Sequence, residues 1–302
     1  MAILVTGASG FVGQAFVPKL LARGHKVYAL SRHPPIGSKN LIPLVGDITE
    51  PGLGLGSVPG DIESVHHIAG NHSLGVDKDG SIHKTNVEGT RNVVAFCARY
   101  NIPRLYYTST AYTQGRNPYE RSKALCELLV TGSDIPQVTI FKPSIIMGTD
   151  ENPNPGHFSL FASLVIKIHQ RAEKIRRKVE ETLRLPVLEP VFRIKGNPKG
   201  KLNLISIDDV TNAMLSLEGR TSYYLTNPNP PTLGQLLEWI SDYVMATAKF
   251  VPEFKPTPLE RQFRKMASVF GPYLQGDDFR SDLQYCRPIT REFIHDTITR
   301  SI

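Results

Sequence analysis

The chain has little of what marks a secreted, metal-bound or membrane-spanning protein. Among its 302 residues are only three cysteines and one tryptophan. Cys97, Cys126 and Cys286 are odd in number, far apart and without C-x-x-C or histidine spacing. Neither a disulfide framework nor a metal site is therefore expected, and a reducing cytoplasm fits best. No apolar run reaches the ~18 residues that cross a bilayer, and the first residues read as a strand rather than a signal peptide. Internal repeats and low-complexity tracts are missing as well. Charge of one sign is scarce except in one place. The net charge is +7, and the segment from Val165 to Lys201, with eleven Lys or Arg against four Glu, holds the whole excess. A local basic patch suits one anionic ligand or partner surface and argues against nucleic acid as a partner.

What is present begins at the first residue. Ile3–Val5 is a short apolar run that breaks into Gly7-Ala-Ser9-Gly10-Phe11-Val12-Gly13, after which apolar residues recur at helical spacing. Strand, glycine turn and helix form the setting in which G-x-x-G-x-x-G binds a dinucleotide. Gly7 allows the turn, Gly10 lets the backbone approach a pyrophosphate, and Gly13 lets helix and strand pack closely.

Strand and helix patterns then alternate. The strands are expected at Ile3–Val5, Lys26–Leu30, Leu41–Val45, Ser64–Ile68, Leu105–Thr108 and Val138–Phe141. The helices are expected around Phe11–Leu21, Ile82–Tyr100 and Tyr119–Val130. This order implies an α/β protein of Rossmann type, a doubly wound parallel sheet with helices on both faces. After Gly148 the pattern changes. Phe161, Val165, Ile168, Ala172, Ile175, Val179 and Leu183 mark a long amphipathic helix. Leu202–Ile207 reads as a strand returning to the sheet, and Thr232 as the N-cap of a helix through Trp239. The expected division is 1–148 plus 202–226 as the dinucleotide-binding domain. A smaller, discontinuous C-terminal substrate lobe takes 149–201 plus 227–302.

The second strand ends in Ser31-Arg32 rather than in an acid. A hydroxyl and a guanidinium suit a ribose 2′-phosphate, so NADPH is favoured over NADH. Asp47 follows the third strand, where it either meets the adenine edge or forms a turn with Thr49. Tyr119 and Lys123 stand four residues apart at a helix start and share a face. A nearby Lys⁺ and a positively charged nicotinamide both favour the phenolate, and proton exchange near neutral pH needs the phenol brought down from ~10. Ser109 and Thr110 stand at the carboxyl end of a strand, the edge where open α/β sheets bind ligands.

In order along the chain, the glycine motif, His67-Ile-Ala69-Gly70, Asn86-Val-Glu-Gly-Thr90, Ser109/Thr110, Tyr119/Lys123, Phe141-Lys-Pro143-Ser144 through Gly148, and Ile207-Asp-Asp209-Val210 resemble the extended short-chain dehydrogenase/reductases. The resemblance implies Tyr119 as general acid/base, Lys123 as the residue that lowers its pKa and binds the nicotinamide ribose, Thr110 on the substrate oxygen with Ser109 as runner-up, and Asn86 as a supporting residue. It further implies a cofactor held by Gly7, Ser9, Gly10, Phe11, Val12, Gly13, Ser31, Arg32, Asp47, Ile48, Ala69, Gly70, Thr108, Tyr119, Lys123, Pro143, Ser144 and Ile145. A homodimer is the family's usual assembly. Two departures stand out: the loop Arg116-Asn-Pro before Tyr119 is short, and Gly70 replaces the usual alanine, which opens space near the cofactor.

A narrower similarity, in Gly46-Asp-Ile-Thr-Glu-Pro-Gly-Leu-Gly-Leu55 and Tyr224-Leu-Thr-Asn-Pro-Asn-Pro-Pro-Thr232, is to fatty acyl reductases and thioester reductase domains. It implies NADPH-dependent reduction of an acyl thioester, CoA- or carrier-bound, to aldehyde or alcohol. The long helix would then receive the acyl chain, with Arg171, Lys174, Arg176, Arg177, Lys178, Lys195, Lys199 and Lys201 meeting phosphates or an acidic carrier. The alternatives are an NADPH-dependent reductase of a lipophilic or aromatic ketone or secondary alcohol, then a sugar-nucleotide epimerase or dehydratase, and outside catalysis an NADPH-sensing binding protein.

Overall fold

The computed structural model describes residues 1–153, 156–185, 191–219, 221–245 and 247–300, with the side chain of His157 left aside. The chain divides into two compact units, one of Met1–Ser144, Ile207–Thr226 and Arg280–Gln284, the other of Ile145–Ser206, Asn227–Phe279 and Tyr285–Ile302.

The first unit is built on a seven-stranded sheet. Its strands are β1 (Ala2–Thr6), β2 (Lys26–Ser31), β3 (Leu41–Val45), β4 (Ile62–His67), β5 (Arg104–Thr108), β6 (Gln137–Pro143) and β10 (Ser222–Leu225), in the order β10-β6-β5-β4-β1-β2-β3. Every pairing is parallel. Its helices are α1 (Phe11–Ala22), the single turn α2 (Ser81–His83), α3 (Gly89–Arg99), α4 (Pro118–Thr131) and α6 (Ile207–Ser216). Strand order reverses between β1 and β4, which opens a crevice at the carboxyl ends of those strands. All five residues of β1 are buried, as expected of a strand covered on both faces. One face carries a ladder of rings across β4, β5, β6 and β10. His66 stacks on Tyr106 at 4.4 Å, Tyr106 on Phe141 at 6.1 Å and Phe141 on Tyr223 at 6.3 Å. The other packs Leu4, Leu30, Val65, Leu105 and Tyr107 with Val93 and Phe96 of α3.

Two expectations change here. The helix expected over Ile82–Tyr100 is interrupted by a π-helical turn, Lys84–Glu88, which gives way to α3 at Gly89. Leu202–Ile207 does not return to the large sheet. Its central residues form β9 (Leu204–Ser206), which pairs with β7 (Ile145–Met147) in a separate two-stranded ladder. The free edge of β6 is taken instead by β10, so residues after Ser144 need another partner for their backbone groups. The segment Arg280–Gln284 also belongs to the first unit. Asp282 exchanges hydrogen bonds with the backbone of Tyr224, and Thr226 Oγ1 donates to Arg280 O.

The second unit contains that ladder, a second parallel pair of β8 (Phe192–Lys195) and β11 (Ala248–Val251), and the helices α5 (Gly156–Leu183), α7 (Leu233–Val244), α8 (Pro258–Met266) and α9 (Arg291–Thr299). Thr232 caps α7 through the Gln235 N–H at 3.1 Å, with Gln235 reaching back in a capping box.

Candidate active site

The glycine turn has the shape a dinucleotide requires. Gly7 sits at φ +73°, and a Cβ there would lie 2.7 Å from Ala69 N. At Gly13 a Cβ would meet Gly7 O at 2.3 Å, so backbone against backbone forbids any side chain. Gly10 is the N-cap of α1 and brings no capping side chain, and Ser9 O instead accepts Gln14 Nε2 at 2.9 Å. The half-buried Phe11 and Val12 open the helix. N–H groups at that first turn have no intrahelical acceptors, and their dipole suits phosphate.

Three of the residues expected around a cofactor carry buried hydroxyls with no partner among the described residues: Ser31, Thr108 and Ser144. A buried hydroxyl left unpaired costs free energy, so the residues present fit a polar group bound along this strand edge. Arg32, beside Ser31, is exposed. Asp47 has one carboxylate oxygen committed to Thr49, whose N–H and hydroxyl both donate at 2.9 Å, so it forms the turn. Ile48 is buried against Gly89, while Pro143 O accepts from Ala111 N at 2.8 Å. Ile145 opens β7 in the second unit, its N–H on Asn203 O.

The chemistry-bearing side chains converge from β5 and α4. Asn117 caps α4 by accepting the Glu120 N–H at 2.9 Å, and Pro118 supplies the first helical position, which fixes Tyr119 in the first turn. The short preceding loop is pinned by Arg116, whose N–H and Nε both reach the fully buried Glu120 at 3.0 Å. Down one face of α4 come Tyr119, Lys123 and Glu127. Tyr119 faces Thr110, whose hydroxyl favours the phenolate. Lys123 Nζ donates to Thr108 O at 2.8 Å and lies 4.7 Å above the Tyr107 ring. Glu127 accepts from Ser109 Oγ at 2.6 Å and pairs with Lys142 Nζ at 2.6 Å.

Burial dominates the titration of this cluster. It pushes the Tyr119 phenol up to about 12, with the Thr110 hydrogen bond pulling the other way. It also lowers the Lys123 ammonium to about 8, against opposition from Cys126 and Glu127. The expectation that Lys123 draws the phenol below its usual range is thus corrected for the protein alone, because desolvation penalises the phenolate more than its neighbours favour it. The phenol is a proton donor at neutral pH.

Asn86 stands in the π-helical turn and touches neither Tyr119 nor Lys123 through a hydrogen bond. Its Oδ1 accepts from Asn71 N at 2.7 Å, and its Nδ2 donates to Asn71 O at 2.9 Å and Ser122 Oγ at 2.8 Å. It ties the loop after β4 to α4. A Cβ at Gly70 would lie 3.2 Å from Asn86 Oδ1 and 3.5 Å from Lys123 Nζ, so the glycine leaves those two groups unpressed.

The sequence reading missed Glu127, Lys142, Ser122 and Glu120. The first could have been found by its spacing, since Glu127 follows Lys123 by four residues on the same helix face. The basic patch, by contrast, is dispersed. Arg176 pairs with Glu173 at 2.8 Å and Glu180 at 2.6 Å, Lys195 with Glu253 at 3.7 Å, and Lys201 with Asp278 at 3.0 Å. Lys195 lines, with Arg193, Phe254, Lys255, Phe263 and Arg264, a cleft of about 880 Å³ in the second unit.

Residues 3–218 match the profile of the NAD dependent epimerase/dehydratase family. A 2-alkyl-3-oxoalkanoate reductase of Stenotrophomonas maltophilia is 27% identical over 78% of this chain and 74% of its own length. Human 3 beta-hydroxysteroid dehydrogenase type 7 is 30% identical over 42% of this chain and 43% of its own. Among solved structures, a short-chain dehydrogenase/reductase superfamily protein from Agrobacterium tumefaciens with bound NAD superposes with a TM-score of 0.64 at 18% identity, covering 100% of this chain and 97% of that one. An NAD-dependent NDP-hexosamine 5,6-dehydratase of tunicamycin biosynthesis gives 0.64 at 18% identity, over 99% and 97%.

Proposed function

The chain belongs to the NAD dependent epimerase/dehydratase family, as an oxidoreductase of the extended short-chain dehydrogenase/reductase type, and from that premise we propose that it uses NADPH to reduce the ketone of a lipophilic substrate to a secondary alcohol. The observation that carries this reading is the Tyr119 phenol, fixed in the first turn of α4 opposite Thr110 and protonated at neutral pH. Reduction of a ketone leaves an alkoxide that needs a proton, and in this reading Tyr119 donates it. Thr110 shares the substrate oxygen as a second donor, so charge developing there meets two preorganised hydroxyls. Lys123, anchored on Thr108 O, keeps a positive charge beside the pair below about pH 8.

When bound, NADPH supplies the hydride. Gly7, Gly10 and Gly13 with the α1 N-terminus would hold its pyrophosphate. Ser31 and Arg32 would hold the 2′-phosphate, and Thr108 and Ser144 offer unpaired hydroxyls along the same edge. The relatives named for 3-oxoalkanoate and hydroxysteroid substrates support a ketone or secondary alcohol. The acyl-thioester reading has less support, because three of the eight cations it relied on, Arg176, Lys195 and Lys201, are paired within the protein and no relative reported above is named for a thioester.

The test is NADPH oxidation measured in parallel with a long-chain 2-alkyl-3-oxoalkanoic acid, a 3-ketosteroid and a long-chain acyl-CoA. Turnover with either ketone and none with the thioester is expected, and turnover with acyl-CoA alone would replace this reading by the thioester one. Arg32→Ala should raise the NADPH Michaelis constant by about 10–100-fold, the worth of a charge-assisted phosphate contact, and leave that for NADH unchanged.

A further inference from the structure

The apolar stripe of α5 has two fates along one helix. In its first half Phe161, Val165, Ile168 and Ala172 are between 2% and 8% exposed and belong to the core of the second unit. From there the same spacing continues, but Ile175 is 45% exposed, Val179 38% and Leu183 58%. Leu185 and Val191, beyond the helix, are 65% and 44% exposed. Three aliphatic side chains at i, i+4 and i+8 thus form a continuous ridge in water, over about 12 Å of helix at 1.5 Å per residue.

The two flanks of this ridge differ in charge. On one side Arg176 is held between Glu173 and Glu180 in a half-buried cluster whose cation is fully engaged. On the other, Arg171, Lys174 and Lys178 recur at i, i+3 and i+7, all exposed and none ion-paired among the described residues. Helical geometry puts Arg171 and Lys178, four residues before and three after Ile175, directly beside the ridge, with Lys174 next to both on the outer side of that flank.

We propose that the second half of α5 docks on an anionic lipid surface, with Ile175, Val179 and Leu183 entering the headgroup boundary and Arg171, Lys174 and Lys178 meeting lipid phosphates. A ridge of aliphatic residues with cations along its flank is the pattern of an interfacial helix. No helix among the described residues is long and apolar enough to cross a membrane, so the contact is peripheral. Charge complementarity selects this occupant over a second copy of the chain. Antiparallel pairing sets like flanks together, three cations against three. Parallel pairing sets the cations against Glu173 and Glu180, which Arg176 already claims, while the remaining exposed carboxylate, Glu181, stands on the cation flank itself, three residues after Lys178. The docking does not depend on the ketone reading of the catalytic site.

The experiment is co-sedimentation of the full chain with vesicles of phosphatidylcholine, alone or with about a third phosphatidylglycerol. Partitioning is expected to be at least about tenfold stronger on the anionic vesicles and to weaken with added salt. The variants are Ile175→Ser/Val179→Ser/Leu183→Ser and Arg171→Gln/Lys174→Gln/Lys178→Gln. Each should lose about tenfold or more of this partitioning while keeping the thermal midpoint and NADPH binding of the parent. Equal, weak binding to both vesicle types would overturn the proposal, as would an apolar-ridge variant that binds undiminished. A dimer in solution that the ridge variant dissociates would assign the surface to self-association instead. Binding to an acidic carrier protein without vesicle binding would assign it to that partner.

Discussion

Ser109 Oγ gives its one proton to Glu127 at 2.6 Å, and a hydroxyl so engaged cannot donate to a developing oxyanion. Thr110, its neighbour, accepts the Tyr112 N–H at 3.2 Å and points its proton only at the longer 3.4 Å contact with Pro143 O, which a substrate oxygen can displace. Two adjacent hydroxyls are therefore sorted by what lies around them. Replacing Thr110 by alanine should lower kcat by about 100-fold or more. Ser109→Ala should stay within about threefold, and steady-state kinetics on both variants distinguish the roles. Lys123 adds a pH signature. Its ammonium is charged below about 8 and neutral above, whereas Tyr119 keeps its proton to about 12. The reductive rate should accordingly hold from neutrality to about pH 8 and fall beyond it. A profile that climbs through that range would contradict the assignment of the titrating group.

At the scale of the element, α4 works as a rack whose three rungs each meet the sheet: Tyr119 at Thr110, Lys123 at Thr108 O, and Glu127 at Ser109 and Lys142. The last rung makes no contact with reacting atoms and sets the rotation of the helix against β5. Glu127→Gln should lower kcat by about tenfold, with NADPH affinity unchanged, because the pairing with Lys142 is lost while the packing volume is kept. The effect should be non-additive with Ser109→Ala in a double-mutant cycle. The N-cap is a separate matter of stability. Asn117→Ala should cost about 1 kcal/mol, read from a shifted urea midpoint at constant slope. Periodicity predicted this helix within a residue at each end. It also predicted one helix across 82–100, where a π-helical turn intervenes and presents Asn86 to Asn71 and Ser122. A π-turn adds a residue without changing composition, so nothing in the apolar pattern announces it.

Across the molecule, the sheet buries two adjacent histidines. His66 stacks in the ring ladder, and His67 bridges Thr6 Oγ1 at 2.8 Å and Thr90 Oγ1 at 3.0 Å. Burial holds each at about 3, against 6.5 for the free side chain. Above pH 6.5 both are neutral folded and unfolded, so they add nothing to the pH dependence. As pH falls from there towards 3 the unfolded chain takes up protons that the folded one refuses, and stability declines by about 1.4 kcal/mol per pH unit for each histidine. Chemical denaturation between pH 7 and 4 should show that slope, and His66→Phe should remove one proton's share of it. A stability independent of pH over that interval would mean that neither ring is desolvated as described.

The chain order of strands and helices, the glycine turn and the tyrosine–lysine pair were legible from the sequence because each rests on contacts a few residues apart. Apolar spacing fixes a helix face, Asn117 and Pro118 start a helix, and Gly13 is required wherever α1 packs on its own strand. Choices among distant partners were not legible. β9 could have joined either ladder, since a short buried strand of two aliphatic residues and a serine suits any open edge. Ser109 and Thr110 differ by one methyl group, and while the resemblance ranked Thr110 first, the physical ground for that order, Glu127 taking the Ser109 proton, came from another element. The cations of the 165–201 segment read as one patch in sequence. Folding brought Glu253 and Asp278 to Lys195 and Lys201 and left Arg171, Lys174 and Lys178 in water. Pairing, exposure and desolvation depend on which surfaces meet across tens of residues, and that is decided by the packed chain as a whole, where burial sets whether a phenol holds its proton and whether an aliphatic stripe becomes core or remains a surface.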